Sequence, residues 1–169
     1  MRLLLDVMCG GLVAYLRMCD YDTVYAGDRG IEADDALLEA AREEDRTLLT
    51  RDVDLANRAD DANAILLESR EVETQLAELA GTGLDLTLAA EPSFCGRCNG
   101  SLESVGRAAA TPEYAPDPAE VDVWHCRACG QHFWRGSHWE RVEATLSRID
   151  GDDGNSDGDP VGGAPTEDP

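Results

Sequence analysis

The residues whose spacing most directly specifies chemistry are cysteines. Four of them form two Cys-x2-Cys knuckles, Cys95-Gly96-Arg97-Cys98 and Cys126-Arg127-Ala128-Cys129. Two thiolates two residues apart can converge on one cation, and two such pairs make a closed tetrahedral site suited to structural Zn2+. Glycine soon after the second cysteine of each pair, Gly100 and Gly130, permits the tight turn the motif needs. Between Cys98 and Cys126 lie 27 residues, of which Ala108–Pro118 are expected to loop out. A redox pair or an iron–sulfur cluster is the competing use. His125 and His132 are the possible substitute ligands, whereas His138 falls on a helix surface. Cys9 and Cys19 occupy apolar helix positions and read as buried thiols.

The second set is acidic. Asp6 follows the apolar run Leu3-Leu4-Leu5, Asp52 follows Leu48-Leu49-Thr50-Arg51, Asp54 comes two residues later, and Asp34 opens a helix-like segment. Functional groups of a parallel sheet gather at the carboxyl ends of its strands. Carboxylates clustered there are costly unless a cation neutralises them. Mg2+ or Mn2+ suits such oxygen donors, and a pair of ions can activate water and stabilise the leaving oxygen of a phosphodiester. With 20 aspartates in the chain, some will also fall at helix N-caps by chance.

The elements that must position these groups alternate. Short buried runs at 2–7, 23–25, 47–50 and 64–67 read as strands; helical spacing joins Leu12, Val13, Leu16 and Cys19, then Leu37, Leu38 and Ala41, then Val72, Leu76 and Leu79. This rhythm implies an α/β fold, a parallel sheet with helices on both sides. It stops near Glu91-Pro92, which divides the chain into 1–91, a zinc-binding segment with a final helix at 92–149, and a Gly/Asp/Pro tail at 150–169 expected to be disordered. Ser137 and Glu140 have capping-box spacing at the start of that final helix.

The formal charge is −21, from 35 acids against 14 arginines and no lysine. Such a surface points to a high-salt cytoplasm, where screening tolerates like charge. The three segments carry −13, −1 and −7, so the middle one repels a polyanion least. No run is long enough for a bilayer span, and Asp6 interrupts the leucines too early for a secretory leader; the expected location is cytoplasmic, with no membrane partner.

The sequence resembles the Mut-seven C-terminal RNase domain family, in which a PIN-like nuclease domain precedes a zinc ribbon. The resemblance rests on Leu3-Leu4-Leu5-Asp6, Gly11 to Arg17, Tyr21-Asp22-Thr23, Asp34 to Leu38, Leu48 to Asp52, both knuckles, and Gly136 to Arg141, and it runs over about residues 2–148. It implies a PIN-like sheet flanked by helices, a small zinc ribbon and a C-terminal helix. It also implies that Asp6, Asp34 and Asp52 hold the catalytic metal, with Asp34 favoured over Asp35 and Asp54 as the less regular fourth acid. Cys19-Asp20 replaces the family's more usual Leu-Gly before Tyr21.

The expected activity is therefore a ribonuclease that hydrolyses RNA with carboxylate-bound Mg2+ or Mn2+ and carries structural Zn2+. Arg17 and Arg51 are the candidate phosphate contacts. A non-catalytic module is the alternative, with Arg97, Arg127, Arg135, Trp124, Phe133 and Trp134 engaging RNA by charge and stacking. A toxin-like nuclease controlled by a protein partner is a third possibility.

Overall fold

The computed structural model describes residues 1–59 and 63–152. Four parallel strands, β1 (Arg2–Leu5), β2 (Asp22–Tyr25), β3 (Thr47–Thr50) and β4 (Ala64–Leu66), form one sheet in the order β2-β1-β3-β4. Leu4 of β1 is in register with Val24 on one side and Leu48 on the other. Side chains alternate between the two faces. Leu3, Leu5 and Leu49 therefore enter one core with the helices α1 (Val13–Met18) and α5 (Val72–Gly81). Leu4 and Leu48 enter the other with α3 (Asp34–Glu43) and α4 (Val53–Arg58). Helices thus cover both faces, as the α/β rhythm implies.

Two short elements escape the sequence pattern. Val7–Leu12 form a 3-10 segment between β1 and α1, and α2 is a single turn, Ala26–Arg29, ended by left-handed Gly30. The run at 64–67 was expected to be a fully buried strand. It is instead the sheet's edge: Ala64 and Ile65 are half-buried, Leu66 is exposed, and only Leu67 beyond the strand is buried.

The second sheet is antiparallel and small: β5 (Leu102–Ser104), β6 (Val123–Cys126) and β7 (His132–Trp134), with β6 central. After it comes α6 (Ser137–Asp152). The sequence groups this helix with the ribbon. In the fold, Val142, Leu146 and Ile149 of α6 complete the core that holds Leu3, Leu5, Leu76 and Leu79. The Glu140 amide donates to the Gly136 carbonyl, so that amide closes the helix's first turn and the expected capping box is replaced by an ordinary helical bond. The tail expected from 150 is helical to Asp152, and its remainder lies outside the described residues. No described helix is long and apolar enough to cross a membrane.

Candidate functional site

The four knuckle sulfurs lie within 4.8 Å of one another. Cys95 Sγ is 3.7 Å from Cys129 Sγ, and Cys98 Sγ is 3.5 Å from Cys126 Sγ. A tetrahedral Zn2+ with bonds of about 2.3 Å sets its sulfurs about 3.8 Å apart, so the group is already the size of a zinc site. Cys95 and Cys126 are buried while Cys98 and Cys129 face outward. Burial pushes the Cys95 thiol up to about 12. At Cys126 desolvation acts the same way, but the Cys129 and Ala128 amides overcome it and bring the thiol down to about 7.

The turns differ from the glycine expectation. The residue directly after each second cysteine is left-handed, Asn99 (φ 63°) in the first knuckle and Gly130 (φ 72°) in the second. Gly100 is needed for space: a Cβ there would sit 2.8 Å from Ala128 Cβ and 3.0 Å from Cys126 Sγ. His125 and His132 are not among the converging ligands. Their rings face each other at 5.8 Å, and Tyr114 Oη lies 3.3 Å from His132 Nδ1. Cys9 and Cys19 are both buried.

The first knuckle is docked on the parallel sheet. Asn99 Oδ1 accepts from the Thr23 amide at 3.0 Å, and Asn99 Nδ2 donates to Asp22 Oδ1 at 2.6 Å. Asp20, left-handed at φ 65°, accepts from the Ser93 amide at 2.8 Å. Arg17, 2% exposed, donates to the Thr23 carbonyl at 3.0 Å and the Gly96 carbonyl at 3.1 Å, with Asp28 at 3.7 Å. Burial pulls its pKa below the ordinary value, opposed by Asp28, Cys95 and Cys98. So placed, Arg17 joins α1 to the knuckle and cannot reach a phosphate in solvent without leaving these partners. This corrects the role expected for it.

The acids lie where strand order puts them. β1 and β3 are parallel neighbours, with Leu5 opposite Leu49, so Asp6 and Asp52 leave the same sheet edge. Asp6 is 4% exposed; its amide extends the ladder to the Leu49 carbonyl, and its Oδ2 accepts from the Thr50 hydroxyl at 2.8 Å. Asp52 caps α4, with Oδ1 accepting from the Asp54 and Leu55 amides at 2.8 and 3.0 Å. Asp54 is exposed in the first turn of that helix. Asp34 begins α3, which runs back from the same edge, and pairs with Arg58 at 3.1 Å; Arg58 also holds Asp35. Among the described residues the four cysteines are the one group of three or more His, Cys, Asp or Glu side chains placed to share a metal, and the acids form none. The fold shares an edge among Asp6, Asp34, Asp52 and Asp54 but leaves Asp52 and Asp34 turned to other partners.

Arg51 sits at this edge. Burial and Asp6 push the Cys9 thiol up to about 12, and Arg51 acts on the same thiol in the opposite sense. Its Nε is buried without a hydrogen-bond partner. In the ribbon, Arg127 pairs with Glu103 at 3.2 Å, and Arg135 lies over the Trp139 ring at 5.2 Å.

A family model described as the Mut7-C RNAse domain matches residues 1–146. The chain belongs to this family. No curated protein and no solved structure matches it. The family is described by its RNase activity, and the four cysteines of this chain lie close enough together to bind zinc.

Proposed function

We propose that this Mut7-C domain is a metal-dependent ribonuclease whose reaction centre is the sheet edge bearing Asp6 and Asp52. The observation that supports the reading is the parallel β1–β3 pairing, which brings Asp6 and Asp52 to the same end of the sheet. Asp34 and Asp54 stand at helix starts on the same edge. The donors are all carboxylate oxygens, which fits Mg2+ or Mn2+. Asp6 is fixed by Thr50 and keeps its second oxygen for the ion. To join Asp6 on an ion, Asp52 and Asp34 would have to give up the α4 amides and Arg58. A metal held there would supply Lewis-acid activation of water and stabilisation of the leaving oxygen. Arg51, half-buried at this edge, is the candidate contact for the substrate phosphate. The ribbon, held by zinc, assists RNA binding. The lysine-free charge of −21 suits a high-salt cytoplasm.

The experiment is RNA cleavage with Mn2+ by the parent, Asp6→Asn and Asp52→Asn, with zinc content measured in each. Both variants should lose activity about a hundredfold or more with zinc unchanged. Equal cleavage by all three would sink the assignment. A second reading, a non-catalytic RNA-binding module, draws support from Asp52 serving as an N-cap and Asp34 as an ion-pair partner. It predicts RNA binding by the parent without cleavage under any metal.

A further inference from the structure

A groove of about 430 Å3 lies between the ribbon, α1 and the start of α6. Its size is in the roughly 300–1,000 Å3 range of small-ligand sites. The chain has three tryptophans and two phenylalanines, and all five, Phe94, Trp124, Phe133, Trp134 and Trp139, line this groove. Neither core cluster contains one of them. Trp124 is buried and the other four are only half-buried, with Arg135 lying over the Trp139 ring at 5.2 Å. The charge of the wall is equally distinctive. Sixteen residues taken at random from this chain would include about three acids. The sixteen that line the groove include none, and Arg97 is their one arginine.

We infer that this groove is a binding subsite for unpaired RNA, with bases stacked on the half-buried rings and the backbone passing Arg97. The inference rests on the ribonuclease reading for its choice of nucleic acid. Aromatic faces take any base, which favours single strands over sequence-specific contacts. On a surface this acidic, an acid-free window with an arginine is where a polyanion can approach. Duplex RNA, whose bases are already stacked, cannot present them here.

Because every tryptophan lines the groove, intrinsic fluorescence reports on it directly. The zinc-loaded full chain, without Mn2+, is titrated with a short oligoadenylate, an abasic ribose-phosphate oligomer of equal length, and the oligoadenylate paired to oligouridylate. Saturable quenching by the single strand is expected, with binding of the other two at least about tenfold weaker. Trp139→Leu, checked for zinc content, and Arg97→Gln, an exposed change that spares the fold, should each weaken it about five- to a hundredfold. Equal quenching by the abasic oligomer, no quenching by any probe, or quenching that follows protein concentration alone would overturn the subsite, the last indicating a second copy in the groove. Quenching by a protein that cleaves nothing with Mn2+ supports the subsite and rejects the nuclease. Cleavage without quenching does the reverse.

Discussion

Replacing Asn99 by glycine tests how firmly the zinc knuckle is seated on the sheet. The backbone there is left-handed, which glycine adopts without strain, so the turn itself survives. What disappears is the side chain's pair of bonds to β2. One serves the amide of Thr23, a residue that is 0% exposed, and the other reaches the Asp22 carboxylate at 2.6 Å. A charge-assisted bond contributes about 1.5–3 kcal/mol, and a buried amide left unpaired costs about 1–3 kcal/mol. Because Asp22 keeps Arg46 and Arg2, the lower part of each range applies, and the expected loss is about 2–4 kcal/mol. For a chain of this size that lowers Tm by roughly 5–15 °C. Asn99→Ala should be worse by about 1–2 kcal/mol, since alanine also resists the left-handed turn. Thermal unfolding followed by circular dichroism, with zinc content measured alongside, gives both numbers. If Asn99→Gly melts within about 2 °C of the parent, the knuckle is not anchored through this residue. If alanine equals glycine, the left-handed turn is wrong.

Three further perturbations separate parts of the same argument. Leu146→Ala in α6 should cost about 2–5 kcal/mol in urea unfolding, because that side chain completes the sheet's core; a loss below about 1 kcal/mol would return α6 to the ribbon. Gly100→Ala places a methyl against Ala128 and Cys126 Sγ, so zinc should be lost at about tenfold lower chelator concentration, with the core of the parallel sheet intact. Glu44 has its pKa lowered from 4.5 to about 2, first by Arg29 and then, against some desolvation, by Arg46. A carboxylate depressed in the folded state contributes stability above its unfolded pKa, and that contribution is lost as pH falls through the folded value. Stability should therefore drop between about pH 4.5 and 2, and Glu44→Gln should flatten the drop in acid titrations; an unchanged slope would count against the ion pair.

The parts of this fold that are legible in the sequence are those with a period. Leu3-Leu4-Leu5 and Leu48-Leu49 announce buried strands because both faces of a covered parallel sheet are apolar. The knuckles announce themselves because thiolates have few other reasons to stand two residues apart twice. Contacts between distant segments leave no such trace. Nothing around Asn99 marks it as the residue that reaches β2, since its value lies in Asp22 and Thr23 being 77 and 76 residues away. Arg58 is equally unmarked, and only the packing of α4 beside α3 brings it to Asp34. Ser137 and Glu140 have the spacing of a cap, yet the chain enters the helix one residue earlier and Gly136 accepts the bond instead. Asp20 takes the left-handed turn a glycine would take and adds a carboxylate that holds Ser93.

Arg17 shows why an acidic chain buries one of its few cations. With Zn2+ bound, four thiolates would leave two negative charges, and the knuckles rest against a segment of the protein that is itself strongly acidic. Without a nearby cation, docking the knuckle on β2 would place like charges together in a poorly screened region. The Arg17 guanidinium lies between Asp28 and the Cys95/Cys98 knuckle, and all three make its charged form more favourable against the cost of burial. Its Nε and one terminal nitrogen meanwhile serve the Thr23 and Gly96 carbonyls, one on each side of the seam. A surface phosphate contact would need none of this. An arginine that spans the seam needs all of it, and Lys, with no fork of fixed donors, could not satisfy two carbonyls and a carboxylate from one planar group. The zinc site is therefore joined to the α/β sheet by charge as well as by Asn99, and the two proposed RNA-contacting regions, the acid edge and the aromatic groove, are held in one body.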